Sequence, residues 1–570
     1  MHRMSNQKAV AGCVPIFGNL CQIITISLIF ASMSTFSHGQ TFFQSSGAYR
    51  WSDQSNWNPT SVPNAIGASA TFNVSGGTLI LGNDASVTLG TLNVSNTVSG
   101  SSFQLNVFTP NPSPLIFDVS SGNAAINLTG SVAGTNSVAV STTLNDNLVV
   151  TNTASMGLTL QGVVSGTGGI TKLGAGNLTL NASNSYTGST VVSAGTLTLG
   201  HASNTLSNSG VVTINGGTLD LGSNSDTVGA VTISSGSLSG SGTLTGSSYS
   251  LQGGSVAAKL GAGDISVSGG TTTLVSAGRL TSSSSLSISG GQLNLGGNET
   301  VASFTQTGGS LGGTGALTST GAVSISGGSL GLNIISTSDG LTKTTSGSLT
   351  LTGSSSFAGT SVVSAGTLVV NGNITGGALA VSSGATLAGS GVIANTTTFQ
   401  SGSFHNPGNS PGLQTFASGV SYAESSTFTW ELASNTDLLS NRGTLIGYDG
   451  VNVTGGNLSI TSGAIGNISL IGSTSVPTVF WSTDRSWLVF DNSGSGTTTG
   501  IFNLGTVTGG SFSPAFGTFA WRIDNKDLFL DFVAVPEPTS MAMVAVGACI
   551  IVGSYRRRKI RTLMDGRESL

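Results

Sequence analysis

The side chains best able to do chemistry lie late in the chain. Trp481, Asp484, Arg485 and Trp487 set a carboxylate and a guanidinium between two indoles, the composition of a site that stacks sugar rings and acts on a glycosidic bond. That reaction needs two carboxylates facing one cleft. The densest charge group, Asp524, Lys526, Asp527 and Asp531, alternates with Leu528 and Phe529 and reads as the solvated face of a strand rather than as paired acids. Between residues 201 and 340 the only charges are Asp220, Asp226, Lys259, Asp264, Arg279, Glu299 and Asp339, which read as scattered, without a shared repeat position. His201 and His405 stand far apart in turn-rich sequence and read as solvent-exposed. No H-E-x-x-H, P-loop or G-x-S-x-G element occurs in its proper context. The expectation is therefore no catalytic residue, no cofactor and no metal, with Trp481 and Trp487 as possible glycan contacts; an aromatic core would bury the same two indoles.

What positions these residues follows from composition. Of 570 residues only 7% are charged, 85 are glycine and 38% are hydrophobic, with Ser, Thr and Asn supplying most of the polar balance. Neither a highly charged disordered chain nor a membrane bundle fits. A net charge of −4 with no basic run before Arg556 excludes a nucleic-acid partner. Cys13, Cys21 and Cys549 all lie in terminal apolar segments, so the body between them has no disulfide and no thiolate site.

In the middle, a small pair followed two residues later by an apolar residue keeps returning: INGGTLDLG, ISSGSLSG, LQGGSVA, VSGGTTTL, ISGGQLNLG, QTGGSLGG and ISGGSLGL. The pairs begin at Gly216, Ser235, Gly253, Gly269, Gly290, Gly308 and Gly327, a period of about 18 to 19 residues. Within a unit the pattern alternates with period 2, as in Leu178 and Leu180 around Thr179, which predicts strands of about five residues. A unit this short cannot bury its own apolar face. Stacking one unit per coil solves that, so a parallel β-solenoid is expected, with an all-β sandwich array as the alternative.

The ends carry addresses. His2, Arg3 and Lys8 precede the apolar run Ile23 to Ala31, and small residues around Ser37 and Gly39 predict signal-peptide cleavage before Gln40. At the other end, Val535, Pro536, Glu537 and Pro538 precede an apolar run from Met541 to Tyr555 and the cluster Arg556, Arg557, Arg558 and Lys559. As a helix the run would span about 22 Å, short of a bilayer core of roughly 30 Å, with the basic cluster cytoplasmic.

Two resemblances add to this. Residues 166–200, GTGGITKLGAGNLTLNASNSYTGSTVVSAGTLTLG, resemble the autotransporter-associated β-strand repeat through Lys172, Gly174, Gly176, Leu178, Leu180, Asn184, Tyr186, Gly188, Thr190, Gly195 and Leu197. A degenerate second copy keeps Lys343, Gly347, Leu349, Gly359 and Gly366, with Phe357 in place of the Tyr and Ser355 in place of the Asn. This likeness implies a β-helical passenger-like stalk on a bacterial surface. The stretch Val535 to Lys559 is similar to the PEP-CTERM sorting tail, which implies an exosortase-type processing enzyme as partner.

The sequence therefore predicts an all-β fold, a right-handed parallel β-helix with a signal helix at one end and a single hydrophobic helix at the other. The expected divisions are a signal peptide (1–39), N-terminal coils and cap (40–150), a repeat-bearing solenoid (151–414), an aromatic-richer β segment (415–533), the sorting and transmembrane segment (534–560) and a polar tail (561–570). The expected function is that of an exported structural or adhesive surface protein, anchored in the membrane before processing, and not an enzyme. Extracellular polysaccharide is a possible partner; a polysaccharide-binding or polysaccharide-degrading β-helix is the alternative.

Overall fold

The computed structural model describes residues 39–108, 113–130, 132–476 and 478–535. Short strands separated by Gly, Ser and Asn corners wind into coils, and each coil lays its strands parallel on those of the coil before. Three faces result. On the second face the apolar positions superpose in a column, Leu178 on Leu197, then Leu219, Leu238, Val256, Leu274 and Leu295. A step in this column is about 18 to 22 residues, as the recurring Gly pair predicts. Alternate side chains point inward, so strands such as Thr196–Leu199 and Gln292–Leu295 alternate between buried and half-buried residues, and the buried ones form one continuous core.

Parallel register through the whole body removes the sandwich alternative, whose hairpins would pair antiparallel. The corners explain the glycines of the repeat: Gly195 and Gly366 have φ of +63° and +68°, and a Cβ on either would lie 2.4 Å from a carbonyl oxygen of the coil beneath.

Between strands, antiparallel pairing is confined to the ends; within the body it occurs as the isolated bridges Gly389–Gly408 and Leu432–Tyr448. The first strand, Gln40–Phe42, is covered on its outer edge by Trp57–Asn58, over a cluster of Phe42, Trp51, Trp57 and Phe72. At the far end Arg485–Asp491 pairs with Asp527–Ala534, which in turn pairs with Gly517–Asp524. Ladders run without a break across residue 415, but coils widen: Phe428 stacks on Gly466 about 38 residues later, and aromatic rings fill the larger interior.

The fold expected to carry a helix at each end is corrected, over the described residues, to β structure without any α-helix. Among the described residues the only helical turns are the 3-10 segments Gln54–Asn56, Leu439–Asn441 and Val479–Ser482, and no helix is long and apolar enough to cross a membrane. The signal segment up to residue 38 and the apolar run Met541 to Tyr555 lie outside the described residues.

Candidate functional site

The polar residues inside the solenoid fall into two sets, set by what a corner leaves unpaired. Where the first face turns into the second, backbone carbonyls point inward and need donors. Lys172 supplies them: fully buried, its Nζ donates to the carbonyl oxygens of Leu173 (2.8 Å), Gly174 (2.7 Å) and Ala194 (3.3 Å). Lys343 repeats the arrangement with Thr345 and Ala365. Lys172 and Gln306 stand in one inward column with Val192, Ile214, Ile233, Ile288 and Ile325, and Lys343 heads its continuation through Val363 and Val381. Gln306 and Asn152 serve the same corner through their amide N–H groups, and each leaves its side-chain oxygen without a partner. An ammonium has three donors and no acceptor, so Lys satisfies this corner and orphans nothing. Among the described residues no carboxylate pairs with either ammonium, and burial pushes the Lys172 amine down to about 8 and lowers that of Lys343.

The third face needs the opposite, acceptors for N–H groups of the coil before. Asn184 Oδ1 accepts from the Val164 N–H (2.8 Å) while its amide donates to the Thr205 carbonyl (2.7 Å). Asp226 Oδ2 accepts from the N–H groups of Thr205 and Leu206, both at 2.8 Å, and Glu299 accepts from Arg279 (3.0 Å) and Leu280 (2.8 Å). Burial raises both carboxyl groups above their ordinary range. The expectation that the charges between residues 201 and 340 share no repeat position is thereby corrected for Asp226 and Glu299. Each is the first residue of a third-face strand and receives two successive N–H groups from one coil earlier.

His405 is also corrected, from exposed to fully buried. It lies on Leu387, in an inward column that runs back through Leu368 to Leu349, beneath Phe428, and stacks on Phe399 at 4.7 Å. Its Nδ1 lies 2.6 Å from the Tyr422 hydroxyl and its Nε2 2.7 Å from Gln414 Oε1, while Gln414 Nε2 donates to the Ala388 carbonyl. A neutral ring with one donor and one acceptor satisfies this chain of bonds, and burial holds the ring neutral, its pKa down to about 3. His201, half-buried, bonds the Ser203 carbonyl.

The C-terminal group does not converge on a cleft. Trp481 is 3% exposed and donates to Asn435 Oδ1 and the Ser475 carbonyl; Trp487 is fully buried and donates to the Thr436 carbonyl at 2.7 Å. Neither indole presents a face to a sugar ring. Asp484 accepts the Ala534 N–H, and Arg485 pairs with Asp437 at 3.2 Å while lying over the Phe480 ring, so both fasten strands of the cap. Asp524 and Asp531 come together on Arg522, at 3.1 and 2.6 Å, on an open strand face. Asp527 accepts the Asn492 N–H, and Lys526 donates to the Gly494 carbonyl. Among the described residues no group of His, Cys, Asp or Glu could hold a metal ion. Of the sorting motif only Val535 is described, half exposed with its N–H on the Phe516 carbonyl; Pro536, Glu537, Pro538, Arg556, Arg557, Arg558 and Lys559 lie outside the described residues.

Residues 170–199, 194–221 and 341–370 match the passenger-associated-transport-repeat. The first and third matches contain the pairs Lys172 and Asn184, Lys343 and Ser355, so the family's interior residues here are coil-to-coil fasteners. The second match was not read from the sequence, since it keeps the closing Gly-x-Leu and lacks a Lys at the corner. These repeats on a β-solenoid fit a surface or adhesin-like passenger domain. None of the matches reaches Val535 to Lys559. No curated protein matches the chain.

Proposed function

We propose that this chain is an exported bacterial surface or extracellular-matrix protein whose work is mechanical, as a structural or adhesive scaffold, and that it is not an enzyme. One observation carries the reading: the buried ionisable side chains Lys172 and Asp226 are turned to the backbone, Lys172 to the carbonyls of Leu173 and Gly174 in its own turn and of Ala194 one coil on, Asp226 to the Thr205 and Leu206 N–H groups one coil earlier, so they fasten the solenoid and face no open site. The tail Val535 to Lys559 is proposed to direct handling by an exosortase-type enzyme, on the resemblance of its sequence alone. Intact mass of the exported protein tests the address, with loss of mass matching cleavage near Gly39 and near Pro536 as the expected result. A retained C-terminus would remove the sorting proposal. Turnover of any acidic or neutral polysaccharide by the purified chain would overturn the non-enzymatic part.

Polysaccharide as a partner is favoured by a groove of about 300 Å³ beside the first repeat, lined by Ser185, Thr187, Asn204, Asn208 and Ser209 among others. Retention on extracellular polysaccharide should fall when Asn208 is changed to Ala. Retention equal to that of the native chain would remove this role.

A further inference from the structure

The three faces end differently. On the first face the N-terminal strand Gln40–Phe42 is closed by the antiparallel Trp57–Asn58, and on the third the C-terminal strand Arg485–Asp491 is closed by the antiparallel pair behind it. The second face has neither. Its first strand, Gly47–Arg50, pairs only with Thr78–Asn83, and its last, Asn503–Gly509, pairs only with Ile465–Leu470. Among the described residues it is the one face whose ladder is bare at both ends, and a bare strand edge is a template for another strand.

Side chains at the C-terminal end agree. Leu504 and Val507 continue the inward columns of Gly466 and Ile468, yet Leu504 is 45% exposed, since among the described residues no strand pairs beyond Asn503–Gly509 on this face. With Phe512, Pro514 and Phe519 they line an open apolar groove of about 350 Å³. A core column left open at a solenoid end is ordinarily covered by a cap or a further coil.

We propose that the occupant is a second copy of this chain, its Gly47–Arg50 strand added in parallel to Asn503–Gly509, so that molecules stack head to tail. Three observations select this partner. Both strands belong to the same ladder, so the contact repeats the coil-to-coil interface already present within one molecule. Both edges are bare, one at each end, as a heterologous contact requires. The inward residues alternate in complementary sizes: Gly47 lies over Val507 and Tyr49 over Gly509 when Ala48 is set opposite Thr508. Because the contact does not close on itself, the product is a filament that lengthens with concentration. This inference is independent of the surface location proposed above.

The test uses the full chain in mild detergent, with Cys13, Cys21 and Cys549 changed to Ser so that introduced thiols are the only ones. One sample carries Ala48→Cys, another Thr508→Cys. Mixed and oxidised, the two should give a disulfide-linked dimer, while Ser250→Cys with Thr508→Cys should give none. Negative-stain images of the native chain should show rods in steps of one molecular length, and Leu504→Lys with Val507→Lys should leave single rods with unchanged circular dichroism. A monomer at all concentrations overturns the proposal, including the case in which hydrogen exchange at 503–509 is slow because the chain covers its own edge. Assemblies in which the Ala48→Cys and Thr508→Cys chains fail to link, or that persist with both lysines, overturn it as well.

Discussion

The two repeat copies at residues 170–199 and 341–370 build the same coil with different bonds. Both keep the corner lysine, and both keep a fully or nearly fully buried ring, Tyr186 in the first and Phe357 in the second. The first adds polar fasteners: Asn184 bridges the coil before and the coil after, and the Tyr186 hydroxyl lies 2.7 Å from Thr190 Oγ1. In the second, Ser355 reaches only the Ile334 N–H, at 3.4 Å, and Ser361 accepts the Leu341 N–H at 3.1 Å. What these two copies share is therefore a donor at one corner and ring volume in the core. A second set of hydrogen bonds strengthens the coil without defining it.

The largest effect tests the shared requirement. Tyr186→Ala and Phe357→Ala should each cost about 3–5 kcal/mol, the usual range for removing a buried ring, read as a drop in urea midpoint at unchanged slope. Losses that differ by more than the fasteners of the first copy are worth would mean that ring volume is not the common element.

The next effect should separate the copies. Asn184→Ala leaves the Val164 N–H and the Thr205 carbonyl unpaired inside the core and should cost about 1–3 kcal/mol, whereas Ser355→Ala breaks one long bond and should cost about 0.5–1.5 kcal/mol. Hydrogen exchange at the Val164 amide should quicken in the first variant, and at Ile334 barely change in the second. Equal costs would dissolve the distinction.

How far all this could be read beforehand depends on chain regularity. The coil step was legible because the Gly pairs from Gly216 to Gly327 mark one corner in every turn, and the register then follows from the Leu two positions on. The corner lysines were legible only through family likeness, since nothing in one Lys among Ser and Thr says that it points inward. Asp226 and Glu299 share a position that no period exposes, because the third-face strands around them are only two to four residues long and the loops between them vary. His405 was misread because NPGNSPG after it signals a turn, while its place in the inward column of Leu349, Leu368 and Leu387 appears only when Leu387 is set beneath it. Beyond residue 415 the step doubles, so Trp481 and Trp487 gave no sign of which side they face.

A smaller change should convert one copy toward the other. Tyr186→Phe removes the hydroxyl bonded to Thr190 and should cost about 0.5–1.5 kcal/mol, leaving the coil as closed as the Phe357 coil is. Burial holds the Tyr186 hydroxyl protonated, its pKa pushed up to about 12, so the same bond survives throughout the neutral range and the cost should not vary with pH there.

The smallest effect, read between pH 7 and 8, lies in the buried lysine that the copies share. The folded chain releases the Lys172 proton near pH 8, whereas the unfolded chain holds it to about 10.5, because burial without a carboxylate disfavours the ammonium. Below pH 8 the folded state therefore carries the full cost of a buried charge. As pH rises through that value the unfolded state binds more protons than the folded one, so stability increases with pH until the unfolded amine also titrates. From pH 7 to 8 less than half a proton has left, and the rise in urea midpoint should be slight; from pH 8 to 10 it should steepen. The neutral amine still has two N–H donors, enough for the Leu173 and Gly174 carbonyls. Lys172→Met should flatten the profile, and Lys343→Met should change it less, since the Lys343 amine is lowered to a smaller extent. A profile that falls between pH 8 and 10 in the native chain and is unchanged by Lys172→Met would show that the corner donor carries no buried charge, and the common element of the two copies would reduce to the ring.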